Sequence, residues 1–187
     1  HRTTWLRSDF FAAAVKIDSF AYMPVQDFGN AFSTFIAQNY GAKKGERIQA
    51  GIRSAIATAL IFCLIITAGV CVFAAPLMTI FVDPSETEII AIGVQYLRIE
   101  GACYCGIGCL FLLYGLYRGI GKPFMSLVLT VISLGTRVGL AYLLAPIPAI
   151  GLPGIWWAIP IGWFLADATG LLYYRFSSSR PSFMRRK

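Results

Sequence analysis

Residues 55–82 read AIATALIFCLIITAGVCVFAAPLMTIFV, a stretch without a single charged side chain. A helix needs about 20 apolar residues to cross a hydrocarbon core about 30 Å thick, so this run is long enough to span. Its length and its position well inside the chain separate it from the apolar region of a removable signal peptide. Hydrocarbon offers the backbone no water to bond, which leaves helices and closed barrels as spanning structures. The alternation of about ten residues that marks a barrel strand is absent. The fold class is therefore all-α, a polytopic membrane helix bundle.

The rest of the chain agrees. Of its 187 residues 57% are hydrophobic and 13% charged, where a soluble domain carries roughly 25% charged residues. Five apolar segments can be marked, at 10–40, 52–82, 87–119, 123–145 and 154–176. The sequence Asn39-Tyr40-Gly41-Ala42-Lys43-Lys44-Gly45 ends the first, Asp83-Pro84-Ser85 is expected to cap the start of the third, and the Pro/Gly-rich stretch 145–154 separates the last two. The chain opens at His1 rather than Met and its first residues match no targeting signal, so it is expected to be part of a longer polypeptide.

Net charge is +7, but the charges sit at segment ends, which argues for membrane topology rather than nucleic acid. Lys43, Lys44, Arg47 and Arg53 follow the first segment, Arg118 and Lys122 the third, and Arg175, Arg180, Arg185, Arg186 and Lys187 the fifth. These eleven basic residues fall on one side, while 83–88 and 145–154 contain none. The positive-inside rule then puts the C-terminus in the cytoplasm and His1 outside, although Arg2 and Arg7 run against it. Trp156, Trp157, Tyr173 and Tyr174 fall near the ends of the last segment, as interfacial aromatics do. The expected location is the plasma membrane, as a multi-pass protein in contact with the lipid bilayer. Cys63, Cys71, Cys103, Cys105 and Cys109 lie in apolar stretches, and His1 is the only histidine, so neither a metal site nor a disulfide framework is expected.

An ionisable group inside a membrane costs about 2.5–3.5 kcal/mol on insertion scales and calls for a partner or a role. Lys16, Asp18, Asp27, Arg98, Glu100, Arg137 and Asp167 qualify. At about 100° per residue, Lys16, Asp27, Asn30, Thr34 and Gln38 share one stripe of the first helix, with Ser19 at its margin. Such a stripe should face protein or water. Asp18 falls on the opposite face unless Pro24 and Gly29 kink the helix and realign its halves. Asp27 lies roughly 20 Å in from Tyr40, near mid-depth, and two readings stand: a cation- or proton-handling carboxylate in a substrate cavity, or an ion pair with Arg137 at similar depth. Glu100 and Arg98, in the outer third of their segment, are expected to snorkel to the interface. Asp167 is expected to hydrogen-bond a neighbouring helix. Gly115/Gly119 and Gly135/Gly139 have the small-xxx-small spacing of close helix packing. Tyr22, Phe28, Phe32, Tyr104 and Tyr114 are read as packing residues, with stacking on flat cations as the second reading.

Three blocks carry a resemblance. Residues 14–42, AVKIDSFAYMPVQDFGNAFSTFIAQNYGA, resemble the helix of multidrug and toxic compound extrusion (MATE) transporters that ends in a Gln-Asn-x-Gly-Ala turn. Residues 117–123, YRGIGKP, are similar to that family's Arg-Gly-x-Gly turn, and residues 154–163, GIWWAIPIGW, to the start of its last helix. The resemblance implies helices eight to twelve of a twelve-helix, two-lobe transporter whose N-terminal lobe is a missing partner. It further implies export of cationic or amphipathic compounds in exchange for Na⁺ or H⁺, with no bound cofactor and no enzymatic reaction. Where some members carry a coupling aspartate, eleven residues before the arginine of the turn, this chain has Ile107, and Glu100, two turns away, is not its equivalent; other members couple through an aspartate of the first helix, which the resemblance places outside this chain. Asp27 therefore stands as the candidate carboxylate, with Asn30, Thr34, Gln38, Lys16 and Asp18 beside it and Arg137, Glu100 and Asp167 as possible ion-pair partners. The competing readings are a lipid-linked sugar flippase, which should line its cavity with basic residues, a structural membrane subunit, and a membrane enzyme, for which a nucleophile–base pair is wanting.

Overall fold

The computed structural model describes residues 2–144, 147 and 151–176, so most of the 145–154 connection and the basic residues beyond Arg175 lie outside the described residues. Six helices follow one another: α1 (Arg2–Gly41), α2 (Gly45–Thr79), α3 (Thr87–Ala102), α4 (Tyr104–Gly119), α5 (Pro123–Leu144) and α6 (Gly151–Phe176). By length and composition α2, α5 and residues Pro153–Phe176 of α6 are apolar enough to cross a membrane. Together, α3 and α4 qualify as a fourth, broken span bent by 49°. α1, which carries Lys16, Asp18 and Asp27, is not among them.

α4 is the hub, packed against α1, α2, α5 and α6. The approaches give directions. Gly29 meets the backbone of Phe111 and Ile36 meets Gly119, so α1 and α4 run parallel. Cys63 lies against Gly108 and Val70 against Gly101, so α2 runs antiparallel to the α3–α4 pair. Gly162 sits on the Ser133 carbonyl and Gly170 on Leu129, which makes α5 and α6 antiparallel. The C-terminal ends of α1, α4 and α6 therefore gather on one side of the bundle, where Tyr117 and Tyr173 stack edge-on at 5.7 Å and Lys122 sits 5.3 Å from the Tyr173 ring centre. Lys43, Lys44, Arg47, Arg118 and Arg175 are exposed there.

Two departures from straight helices have local causes. Phe73 leaves helical geometry (φ −97°, ψ 16°) three residues before Pro76, whose ring crowds the preceding turn and removes a donor. The expected segment 87–119 is two helices, because Cys103 (φ −108°, ψ 10°) interrupts it, and the Thr67 hydroxyl of α2 donates to the Gly101 carbonyl at 2.7 Å beside the break.

Turn chemistry differs from expectation in one place. The Asp83 carboxylate accepts from the Ser85 backbone N–H at 2.9 Å and from its hydroxyl at 2.6 Å, while α3 starts at Thr87 without a side-chain cap. Asp83 therefore closes its own turn instead of capping α3, because three residues separate it from the helix's first N–H groups. Those two bonds hold its carboxyl below the usual carboxylate range. The other two turns share one device. The Lys44 N–H donates to Asn39 and that of Lys43 to Tyr40; likewise Lys122 donates to Tyr117 and Gly121 to Arg118. This pairing is the Schellman arrangement, which needs a left-handed residue at its centre. Gly121 fills that place at φ 74° and Lys43 at φ 53°. Gly121→Ala is expected to lower stability by about 1 kcal/mol, and a thermal-unfolding comparison checks it, with Gly41→Ala, where an added Cβ meets nothing within 4 Å, as the silent control.

Candidate functional site

The face of α1 that the sequence marks as polar is uncovered. Lys16, Asp27, Asn30, Thr34 and Gln38 are all exposed, while Ala14, Ile17, Asp18, Val25, Phe32 and Ile36 are buried on the opposite side. Asp18 keeps that opposite face because α1 continues as one helix past Pro24 and Gly29. Near the middle of the stripe, the Arg118 guanidinium donates to the Asn30 side-chain oxygen at 2.9 Å and to the Tyr114 carbonyl at 3.3 Å, tying the end of α4 to the stripe. Thr34 donates to the Asn30 carbonyl at 3.5 Å and Ser19 to that of Val15 at 2.8 Å, so both hydroxyls bond their own helix. Half-buried Tyr22, Phe111 and Tyr114 form an aromatic run across α1 and α4, with ring centres 6.1 Å and 6.3 Å apart.

A second polar group lies inside the bundle. The Tyr104 hydroxyl donates to the Asp18 carboxylate at 2.7 Å, joining α4 to α1. Glu100 is 0% exposed, contrary to the expectation that it snorkels. Helix α3 turns it toward α1, and the break at Cys103 invalidates a depth counted along one straight span. Neither Glu100 oxygen has a hydrogen-bond partner. Arg137 of α5 lies within electrostatic reach of both Asp18 and Glu100, and its Nε is buried and unbonded. The pairing considered for exposed Asp27 is not made among the described residues; Arg137 acts instead at longer range on Asp18 and Glu100. Tyr96 stands beside them, stacked edge-on against Trp156 of α6 at 5.7 Å.

Asp167 forms a third, separate feature. It is buried on α6, hydrogen-bonded to the Cys109 thiol of α4, with Oδ1 unpartnered. Sequence reasoning named all three buried carboxylates but missed Tyr104 and Tyr96 as their neighbours. The spacing of four between Tyr96, Glu100 and Tyr104 was the available signal. Among the described residues no group of three or more His, Cys, Asp or Glu is placed to hold a metal ion.

Comparison with known proteins follows the same geometry. A family model described as MatE matches residues 11–143. The chain is 29% identical over 171 residues to the probable multidrug resistance protein YpnP of Bacillus subtilis, covering 89% of this chain and 37% of that relative. Two solved structures of a multidrug resistance MATE family transporter of the MOP superfamily are also similar. The inward-facing one matches at 26% identity and TM-score 0.78, over 89% of this chain and 38% of that one. The outward-facing one matches at 25% identity and TM-score 0.81, over 89% and 37%. The chain thus spans less than two fifths of the length of each.

Proposed function

Because the chain belongs to the MatE family, we propose that it forms most of the C-terminal lobe of a secondary antiporter that exports cationic or amphipathic compounds in exchange for Na⁺ or H⁺. The observation that carries this reading is the uncovered polar stripe of α1. A row of Lys16, Asp27, Asn30, Thr34 and Gln38 along a helix of a membrane bundle is costly against lipid and suits a water-filled path between two lobes. The stripe is mixed in charge, which suits cations better than a cavity lined only with basic residues would. Tyr22, Phe111 and Tyr114 supply aromatic surface for the flat, apolar part of such a compound.

Similar overlap with an inward-facing and an outward-facing relative supports a lobe that moves largely as a body, as alternating access by rocking requires. The exposed basic ends of α1, α4 and α6 lie in the cytoplasm in this reading, with the plasma membrane as the site of action.

Asp27→Asn in the full-length protein is expected to reduce ion-driven efflux of a cationic dye from proteoliposomes about tenfold, with expression intact; removing one interaction with a cation of about 1.4 kcal/mol has that size. Unchanged efflux would take Asp27 out of the path.

A further inference from the structure

Glu100 is the one fully buried acid whose two oxygens are both unpartnered among the described residues. An ionised carboxylate in that position would forgo every hydrogen bond it makes in water, a state that buried charges avoid by pairing or by neutralising. Its surroundings show which it does. Asp18 from α1 is also an acid, and it already holds the Tyr104 hydroxyl of α4. Arg137 from α5 is the cation that reaches both acids. From α3 itself come Tyr96 and, exposed, Arg98; Cys103 stands at the α3–α4 junction. α2 brings Cys71 against Gly101, and α6 brings Trp156. Two carboxylates against one guanidinium leave a surplus of one negative charge in the interior. One proton closes that balance.

The proton's place follows from the hydrogen bonds. A donated O–H stabilises a carboxylate, and Asp18 has one while Glu100 has none. A metal cation is the poorer fit, because it would need several oxygen ligands and would sit beside Arg137.

We propose that Glu100 is a proton-binding site of this lobe, protonated in the present conformation beside an Asp18 carboxylate that holds the Tyr104 hydroxyl, and that it carries the proton exchanged during transport. The coupling half of this statement rests on the antiport reading above. Glu100 stands three residues before Cys103, at the 49° bend between α3 and α4. Loss of its proton would leave a charge without a hydrogen bond beside a break in the helix, where the regular ladder is already interrupted and the Cys103 N–H donates to the Glu100 carbonyl at 2.9 Å.

The test uses the purified full-length protein and infrared spectroscopy of carboxylic-acid C=O stretching. At neutral pH the wild-type minus Glu100→Gln difference spectrum is expected to show an acid band, to which Asp167, present in both proteins, does not contribute. Asp18→Asn is expected to remove the same band, because Glu100 then ionises against Arg137, whereas a merely structural Glu100 would not respond to Asp18. Addition of Na⁺ should leave the band in place. Absence of that difference band, its persistence in Asp18→Asn, or its loss on addition of Na⁺ overturns the proton site. In proteoliposomes, Glu100→Gln is expected to lower dye efflux driven by a proton gradient at least tenfold, and retained efflux overturns the coupling role. Absence of proton-driven efflux in the wild type would count against the antiport reading and against coupling, while the infrared band still decides whether Glu100 holds a proton.

Discussion

Gly115→Val is expected to destabilise the bundle by about 3 kcal/mol, at the upper end of what overpacking costs. A Cβ at Gly115 would stand 2.5 Å from the Gly29 carbonyl oxygen and 3.3 Å from the Phe32 ring. The first of these is backbone, so no rotamer change relieves it; α1 and α4 must separate. Gly119 reports the same contact a turn later, where an added Cβ would lie 2.7 Å from Ile36 and 2.8 Å from the Ser33 carbonyl. Because α4 is the hub, displacing α1 from it also disturbs the Tyr104–Asp18 bond and the Arg118–Asn30 bond. Gly135→Val is the matched control, since a Cβ there meets nothing within 4 Å, and its effect is expected to stay within about 0.5 kcal/mol. Thermal unfolding of the full-length protein in detergent measures both, and equal stability of the two variants would sink the close-packing account of Gly115.

That pair shows how far the sequence could be read. Gly115/Gly119 and Gly135/Gly139 have identical spacing, and only the first pair meets another helix within the described residues. Spacing states that a backbone can be approached; it does not name the partner, here Gly29, because that depends on which helices become neighbours. The α1 stripe was legible because it needs only 100° per residue and one continuous helix, and α1 supplies that over 40 residues. Membrane class was legible from the uncharged run at 55–82 for the same reason: hydropathy is a local property. Glu100 was expected to reach out to the interface because 87–119 reads as one straight span, whereas Cys103 breaks that span without the proline that usually marks a break and the Glu100 side chain is buried in the bundle. The left-handed turn residue Lys43 was equally hidden, since Gly41 two positions earlier is the residue type that such turns favour.

Tyr104→Phe is expected to cost about 2 kcal/mol, within the range for a buried hydrogen bond to a charged group. The substitution removes one oxygen and leaves the ring in place, so the cavity contribution is small and the loss is that of the 2.7 Å bond to Asp18. Asp18 is 6% exposed, too buried for water to replace the hydroxyl without opening the α1–α4 contact. Tyr117→Phe offers a comparison within the same helix. Its hydroxyl donates to the neutral Gly170 carbonyl at 2.6 Å, and the expected cost there is about 1 kcal/mol. The difference between the two variants measures the charge on Asp18 rather than burial, since Tyr104 and Tyr117 are equally buried at 1%. A double-mutant cycle separates the pair from its surroundings: in an Asp18→Asn background the cost of Tyr104→Phe should fall by about 1 kcal/mol. A cycle that closes with no coupling would show that Tyr104 does not stabilise a carboxylate at Asp18.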